Sequence, residues 1–240
     1  MLAHGLCMNE QRWNRDGHDH GAAIADELGY LPLYLRYNSG LAIADNGQAL
    51  AQLLESVLGN WPEPVEELAI IGHSMGGLVA RSALHHANEA GHAWPKSLRK
   101  LVFLGTPHHG APLERAGYGL DFAMDLSPYS TPLTRISRAR SAGITDLRHG
   151  TISSDQQAVP LPSDVECYAA AAVLASEPGV VRERLVGDGL VPLHSALGRH
   201  RDAARDLAIP EHRQWVGYGT GHLELLQHPQ LYAELLRWLQ

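Results

Sequence analysis

The sequence predicts an α/β fold, a mostly parallel sheet of about six strands with helices on both faces. Three observations predict it. Short continuous apolar runs such as Leu68–Ile71 and Leu101–Leu104 read as strands buried on both faces, where a half-exposed strand would alternate. Helix-spaced stretches lie between these runs, and the alternation continues from end to end. At 240 residues, 45% hydrophobic and 19% charged, the chain carries enough apolar material for one substantial core.

Met1–Ala3 reads as the tail of a strand. Ala22–Leu28 is helical in pattern, entered from a polar loop in which Asp19 or His20 serves as cap. Leu31–Arg36 is a short apolar strand. Leu41–Leu58 carries leucines and alanines at helical spacing and stops before Gly59 and Pro62. Leu68–Ile71 is a buried strand, followed by a helix over Gly76–Asn88. Leu101–Leu104 and Val165–Ala172 are the next strands and Gln214–Gly217 the last. Leu223–Leu239 closes the chain as an amphipathic helix. From 107 to 163 there is no convincing strand, and so long a connection in a compact domain is usually functional. The expected organisation is a single domain, 1–240, with a cap or lid insertion at 107–163.

The formal net charge of −7 argues against a nucleic-acid surface. No stretch approaches the roughly 20 apolar residues of a membrane span. The first residues lack the basic and apolar regions of a signal peptide. With two cysteines, Cys7 and Cys167, the expectation is reduced thiols in a cytoplasmic protein, with Cys7 as a buried thiol. His18-Asp19-His20 has no cysteine or third histidine at helical spacing beside it, so no metal is expected, and no cofactor is implied.

Gly72-His73-Ser74-Met75-Gly76 stands where the strand at Leu68–Ile71 runs into the following helix. Written G-x-S-x-G in a strand–turn–helix context, it is the setting of a nucleophile elbow. A serine held at strained backbone angles in a sharp turn leaves no room for side chains two residues before and after it. The turn also sets Ser74 at the positive end of a helix, where developing negative charge is stabilised.

Here the chain resembles the α/β-hydrolases, specifically bacterial lipases and esterases related to the GPI inositol-deacylase-like group. Four segments carry the resemblance in the family's order: His4-Gly5-Leu6, "GHSMGGLVAR" at 72–81, "FLGTPHHGAP" at 103–112, and "GDGLVP" at 187–192 with "GTGH" at 219–222.

A serine hydroxyl needs a base, and the base needs a third group to fix its tautomer. His222 follows the last strand in a glycine-rich loop, at the carboxyl end of the sheet where an open α/β fold keeps its active site. His108 and His109 precede the acid and match a segment that is not the base in the family. His85, His86, His200 and His212 fall in surface-like surroundings. The resemblance puts the acid at Asp188, with Asp164 the alternative at the opposite end of its strand. Some fifteen residues separate that strand's end from Asp188, so the loop must fold back. Two backbone N–H groups are needed for the oxyanion. Met75, directly after the nucleophile, supplies one, and the resemblance to the His-Gly-X segment of lipases gives Leu6 as the other.

The expected activity is hydrolysis of carboxylic esters through an acyl-enzyme on Ser74, with a small-molecule or lipid ester as partner. An acyltransferase and an inactive binding module on the same fold remain alternatives. Phe122 and Met124, within the long insertion, are candidate acyl-chain contacts, unless that segment is a fixed helical layer packed on the sheet.

Overall fold

The computed structural model describes residues 1–111, 141–153, 155, 157–177 and 187–240. Its strands are β1 (Leu2–Ala3), β2 (Tyr34–Leu35), β3 (Leu68–His73), β4 (Leu98–Leu104), β5 (Glu166–Val173) and β6 (Gln214–Tyr218). They form one sheet in the order β2–β1–β3–β4–β5–β6, and every pairing is parallel. The helices between them are α1 (His20–Leu28), α2 (Ile43–Gly59), α3 (Met75–Ala90), α4 (Ala142–His149), α5 (Leu193–Ala196) and α6 (Pro229–Leu239).

The continuous apolar runs are explained by burial on both faces. On one face Ile70, Leu101, Phe103, Ala169 and Ala171 pack with α2 and α3. Their chain neighbours Ile71, Val102, Leu104, Ala170 and Ala172 turn to the other face, against Ile24 of α1 and Leu231 and Leu235 of α6. A fully buried Leu or Ile contributes roughly 1.5–3 kcal/mol by leaving water. From Met75 to Leu84 every residue of α3 is buried. Against it, α2 approaches so closely that a β-carbon at Gly47 would strike the Ser82 side chain. The Ser82 hydroxyl donates to the Ile152 carbonyl at 2.6 Å, so this buried polar group is satisfied.

Several boundaries differ from expectation. The strand expected over Leu31–Arg36 shrinks to Tyr34–Leu35, a two-residue edge. The single closing helix is instead a 3₁₀ turn at Glu224–Leu226 followed by α6, because Pro229 lacks the N–H an interior position needs and starts a new helix. α4, inside the long insertion, was not anticipated; Ser141 caps it, its hydroxyl accepting from the Ile144 N–H at 3.3 Å. Cys7 is exposed and not buried, because it occupies the corner of a turn at φ 57°. Only His212 of the four surface-assigned histidines is exposed; His85, His86 and His200 are half-buried. Asp19 is the cap of α1, its Oδ1 accepting from the Gly21 and Ala22 N–H groups at 2.8 and 3.1 Å. No cluster of metal-ligating side chains occurs among the described residues. Phe122 and Met124, with most of the expected cap, lie outside the described residues.

Candidate active site

β3 ends at His73 and α3 begins at Met75, so Ser74 alone makes the turn, at φ 53° and ψ −123°. A non-glycine residue there is strained by on the order of 1–3 kcal/mol. Neighbouring elements hold it. The Ser74 N–H donates to the Leu104 carbonyl at the end of β4, 2.8 Å away, and its carbonyl accepts from Gly77. Both glycines of the motif are sterically required: a β-carbon on Gly72 would come within 2.5 Å of the Gly77 backbone, and one on Gly76 would collide with the Ala3 carbonyl oxygen.

Parallel pairing puts the carboxyl ends of β3, β4, β5 and β6 on one edge of the sheet, and the other predicted groups gather there. Leu174, just past β5, donates its N–H to the Gly187 carbonyl at 2.9 Å, so the chain does fold back. Asp188 follows, 4% exposed, with Oδ1 accepting from the Leu190 and Val191 N–H groups at 3.0 and 2.8 Å. Its Oδ2 lies 2.6 Å from Nδ1 of His222, also 4% exposed. An ionised carboxylate can only accept, so, paired with one, Nδ1 carries the shared proton and Nε2 is the ring's basic nitrogen in the neutral form. Asp164 is exposed and precedes β5, at the far edge.

His222 packs on His73, the residue before Ser74. The two rings lie 4.8 Å apart, and His73 Nε2 donates to the His222 carbonyl at 3.3 Å. Burial, and then the nearby His222 charge, push His73 well below the usual histidine range. It therefore stays neutral and holds the His222 loop without placing a second cation beside it. Sequence reasoning passed over His73, although it is the variable residue of the G-x-S motif. Gly105, at φ 58°, was also missed; a β-carbon there would come 3.0 Å from the His222 ring.

The His4-Gly5-Leu6 segment lies against Ser74, since a β-carbon on Gly5 would be 3.1 Å from that of Ser74. The segment is fixed by a turn in which the Met8 N–H donates to the Gly5 carbonyl, with Leu6 and Cys7 at its corners. The His4 ring stacks on Tyr37 at 4.3 Å, and the Tyr37 hydroxyl donates to the His4 carbonyl at 2.6 Å. Met75 is the first residue of α3, so its N–H is among the four that a helix cannot satisfy internally. His108 and His109 lie on the loop after β4, with the His108 ring against Phe103 and Arg81.

Residues 36–171 match the PGAP1-like alpha/beta domain family. A 77-residue segment is 31% identical to the GPI inositol-deacylase of Debaryomyces hansenii, covering 31% of this chain and 7% of that much longer protein. Among solved structures, the mature lipase BlEst2 of Bacillus licheniformis superposes with a TM-score of 0.61 at 18% identity, covering 98% of this chain and 90% of that one. EstA of Clostridium botulinum gives 0.60 at 14% identity, covering 99% and 86%. At these identities the structural likeness is one of fold.

Proposed function

This chain belongs to the PGAP1-like alpha/beta domain family and has the α/β-hydrolase fold, and from that premise we propose that it is a serine-dependent carboxylic ester hydrolase acting on acyl or lipid esters. The observation that carries the reading is the strained turn at Ser74 on the same sheet edge as the His222–Asp188 pair bonded at 2.6 Å. Ser74 Oγ attacks the ester carbonyl while His222 takes its proton at Nε2. Asp188 keeps the other ring proton on Nδ1 and stabilises the imidazolium. The oxyanion is held by the N–H groups of Leu6 and Met75, helped by the positive end of α3. His222 then returns the proton to the leaving alcohol, giving an acyl-serine. Water, deprotonated by His222, attacks that ester; the acid leaves and Ser74 regains its proton.

The test is a fluorophosphonate followed by mass spectrometry of the digest. A covalent adduct on Ser74, lost in Ser74→Ala, is the expected result. An unmodified Ser74 with full ester turnover would refute the assignment.

A further inference from the structure

The consecutive peptide groups between His4 and Cys7 are each held by a hydrogen bond. The His4 carbonyl accepts from the Tyr37 hydroxyl at 2.6 Å. The Gly5 carbonyl accepts from the Met8 N–H at 3.3 Å, and His4 Nδ1 lies 2.9 Å from it. The Cys7 N–H donates to Ser39 Oγ at 3.1 Å. Within this pinned stretch the Leu6 N–H meets no acceptor among the described residues.

A carbonyl oxygen can only accept, so His4 Nδ1 carries the ring proton and donates it to Gly5. Nε2 is left bare, with no hydrogen-bond partner among the described residues. A second ring proton there would be enclosed without an acceptor, and burial holds His4 below the usual histidine range. The neutral ring lies on the Tyr37 ring, 4.3 Å away and 16° from parallel. Tyr37 therefore holds His4 twice, by its face and by its hydroxyl.

The Gly5 carbonyl and the Leu6 N–H belong to one planar trans peptide and point in opposite directions. Whatever fixes the carbonyl therefore aims the N–H. Glycine has the freest backbone of any residue, so this plane resists rotation chiefly through the bonds it makes. It also lies against the nucleophile, since a β-carbon on Gly5 would be 3.1 Å from that of Ser74. A donor serves an oxyanion best when its direction is set before the charge develops. We propose that fully buried His4, held by Tyr37, is a positioning residue that aims the Leu6 N–H at the oxyanion formed on Ser74. The inference rests on the roles proposed above for Ser74 and Leu6, and adds what sets the donor's direction.

Two variants separate aiming from packing. His4→Phe keeps a ring for Tyr37 and removes the donor. His4→Asn gives up the ring but puts an amide N–H close to the place of Nδ1. Melting profiles check that both are folded. Nitrogen relaxation at the Leu6 amide should give an order parameter of about 0.85 in the parent, falling toward about 0.6 in His4→Phe. On a p-nitrophenyl ester, kcat should fall about tenfold or more in His4→Phe with KM within about twofold, because the oxyanion exists only beyond the ground state. His4→Asn should restore both readouts. A rigid Leu6 amide in folded His4→Phe would overturn the proposal, as would equal losses in the two variants. A loosened Leu6 amide with full kcat would overturn it too, by removing Leu6 as the donor. If the His4 variants do not fold, Tyr37→Phe, which removes one hydroxyl and keeps the stack, should move both readouts the same way by less; no movement would overturn the proposal. Failure of the Ser74 reading shows separately, as a parent enzyme that fluorophosphonate leaves unlabelled, while the relaxation data still decide whether His4 sets the Leu6 peptide.

Discussion

Leu174 and Gly187 are joined by a backbone hydrogen bond of 2.9 Å, which holds Asp188 at the carboxyl edge of the sheet. The position of Asp188 thus depends on this contact and not on the end of a strand. Asp188→Asn should preserve the contact, because the two N–H donors from Leu190 and Val191 can still be accepted by the amide oxygen. The amide nitrogen would then face His222 Nδ1 and force the wrong tautomer. Ester turnover should fall by roughly 10⁴. Asp164→Asn, at an exposed site on the opposite edge, should leave turnover unchanged; a loss there with a silent Asp188→Asn would reverse the assignment.

Ser74→Ala should fold and lose at least ~10³ in kcat on a p-nitrophenyl ester. Ser74→Gly should be equally inactive but melt at or above the parent temperature. Relief of backbone strain, about 1–3 kcal/mol, outweighs the roughly 0.5–1 kcal/mol that glycine's freedom costs. A Ser74→Gly protein that melts well below Ser74→Ala would show that the turn at φ 53° carries no strain.

The elbow glycines should be intolerant and a distant one permissive. Gly76→Ala drives a methyl group into the Ala3 carbonyl oxygen, backbone that cannot swing aside, and should cost more than ~2 kcal/mol in urea unfolding. Gly59→Ala, at the end of α2 with open space around the new methyl, should be neutral or stabilising by up to about 1 kcal/mol. Equal effects at both positions would contradict the packing described for the elbow.

Acid should unfold the protein through its buried neutral histidines. His20 donates from Nε2 to the Leu225 carbonyl and accepts at Nδ1 from His18, and burial holds it down to about 4. The unfolded chain takes up that proton near pH ~6.5 while the folded one resists to about 4. Stability is therefore complete above that upper value and declines as the pH falls toward the lower one, by up to ~3 kcal/mol from this residue. Denaturant midpoints measured from pH 7.5 to 4 should follow that slope. His20→Asn should reduce it without abolishing it, since His73 and His108 shift the same way. A midpoint independent of pH across this range would contradict the shift.

Much of the fold was legible because burial on two faces leaves an unambiguous trace. A run such as Leu68–Ile71 has no polar alternation, and the sheet supplies the reason. The elbow was legible for a similar reason, since Gly72 and Gly76 report collisions that only a tight strand-to-helix turn creates. β2 was overextended because Leu31, the first residue of the apolar stretch, is exposed and only Tyr34–Leu35 pair with β1. α4 escaped notice because its eight residues carry a short, mixed pattern, and Ser141 is its main local signal. The pairing of Asp188 with His222, 34 positions apart, was inferred from family resemblance; no local pattern encodes the Leu174–Gly187 contact beside it. Cys7 was misjudged because burial of its neighbours says nothing about a turn corner at φ 57°.

The unbroken burial of α3 from Met75 to Leu84 reaches beyond packing, into how the molecule fails. Amides enclosed on every side exchange with solvent only through large openings, so the helix that begins beside Ser74 belongs to the slowest-exchanging part of the domain. Peripheral segments such as the two-residue β2 can fray without disturbing it. Ser74 is thus tied to the part of the domain expected to open last, and during heating the turn at its position should persist until the whole domain gives way.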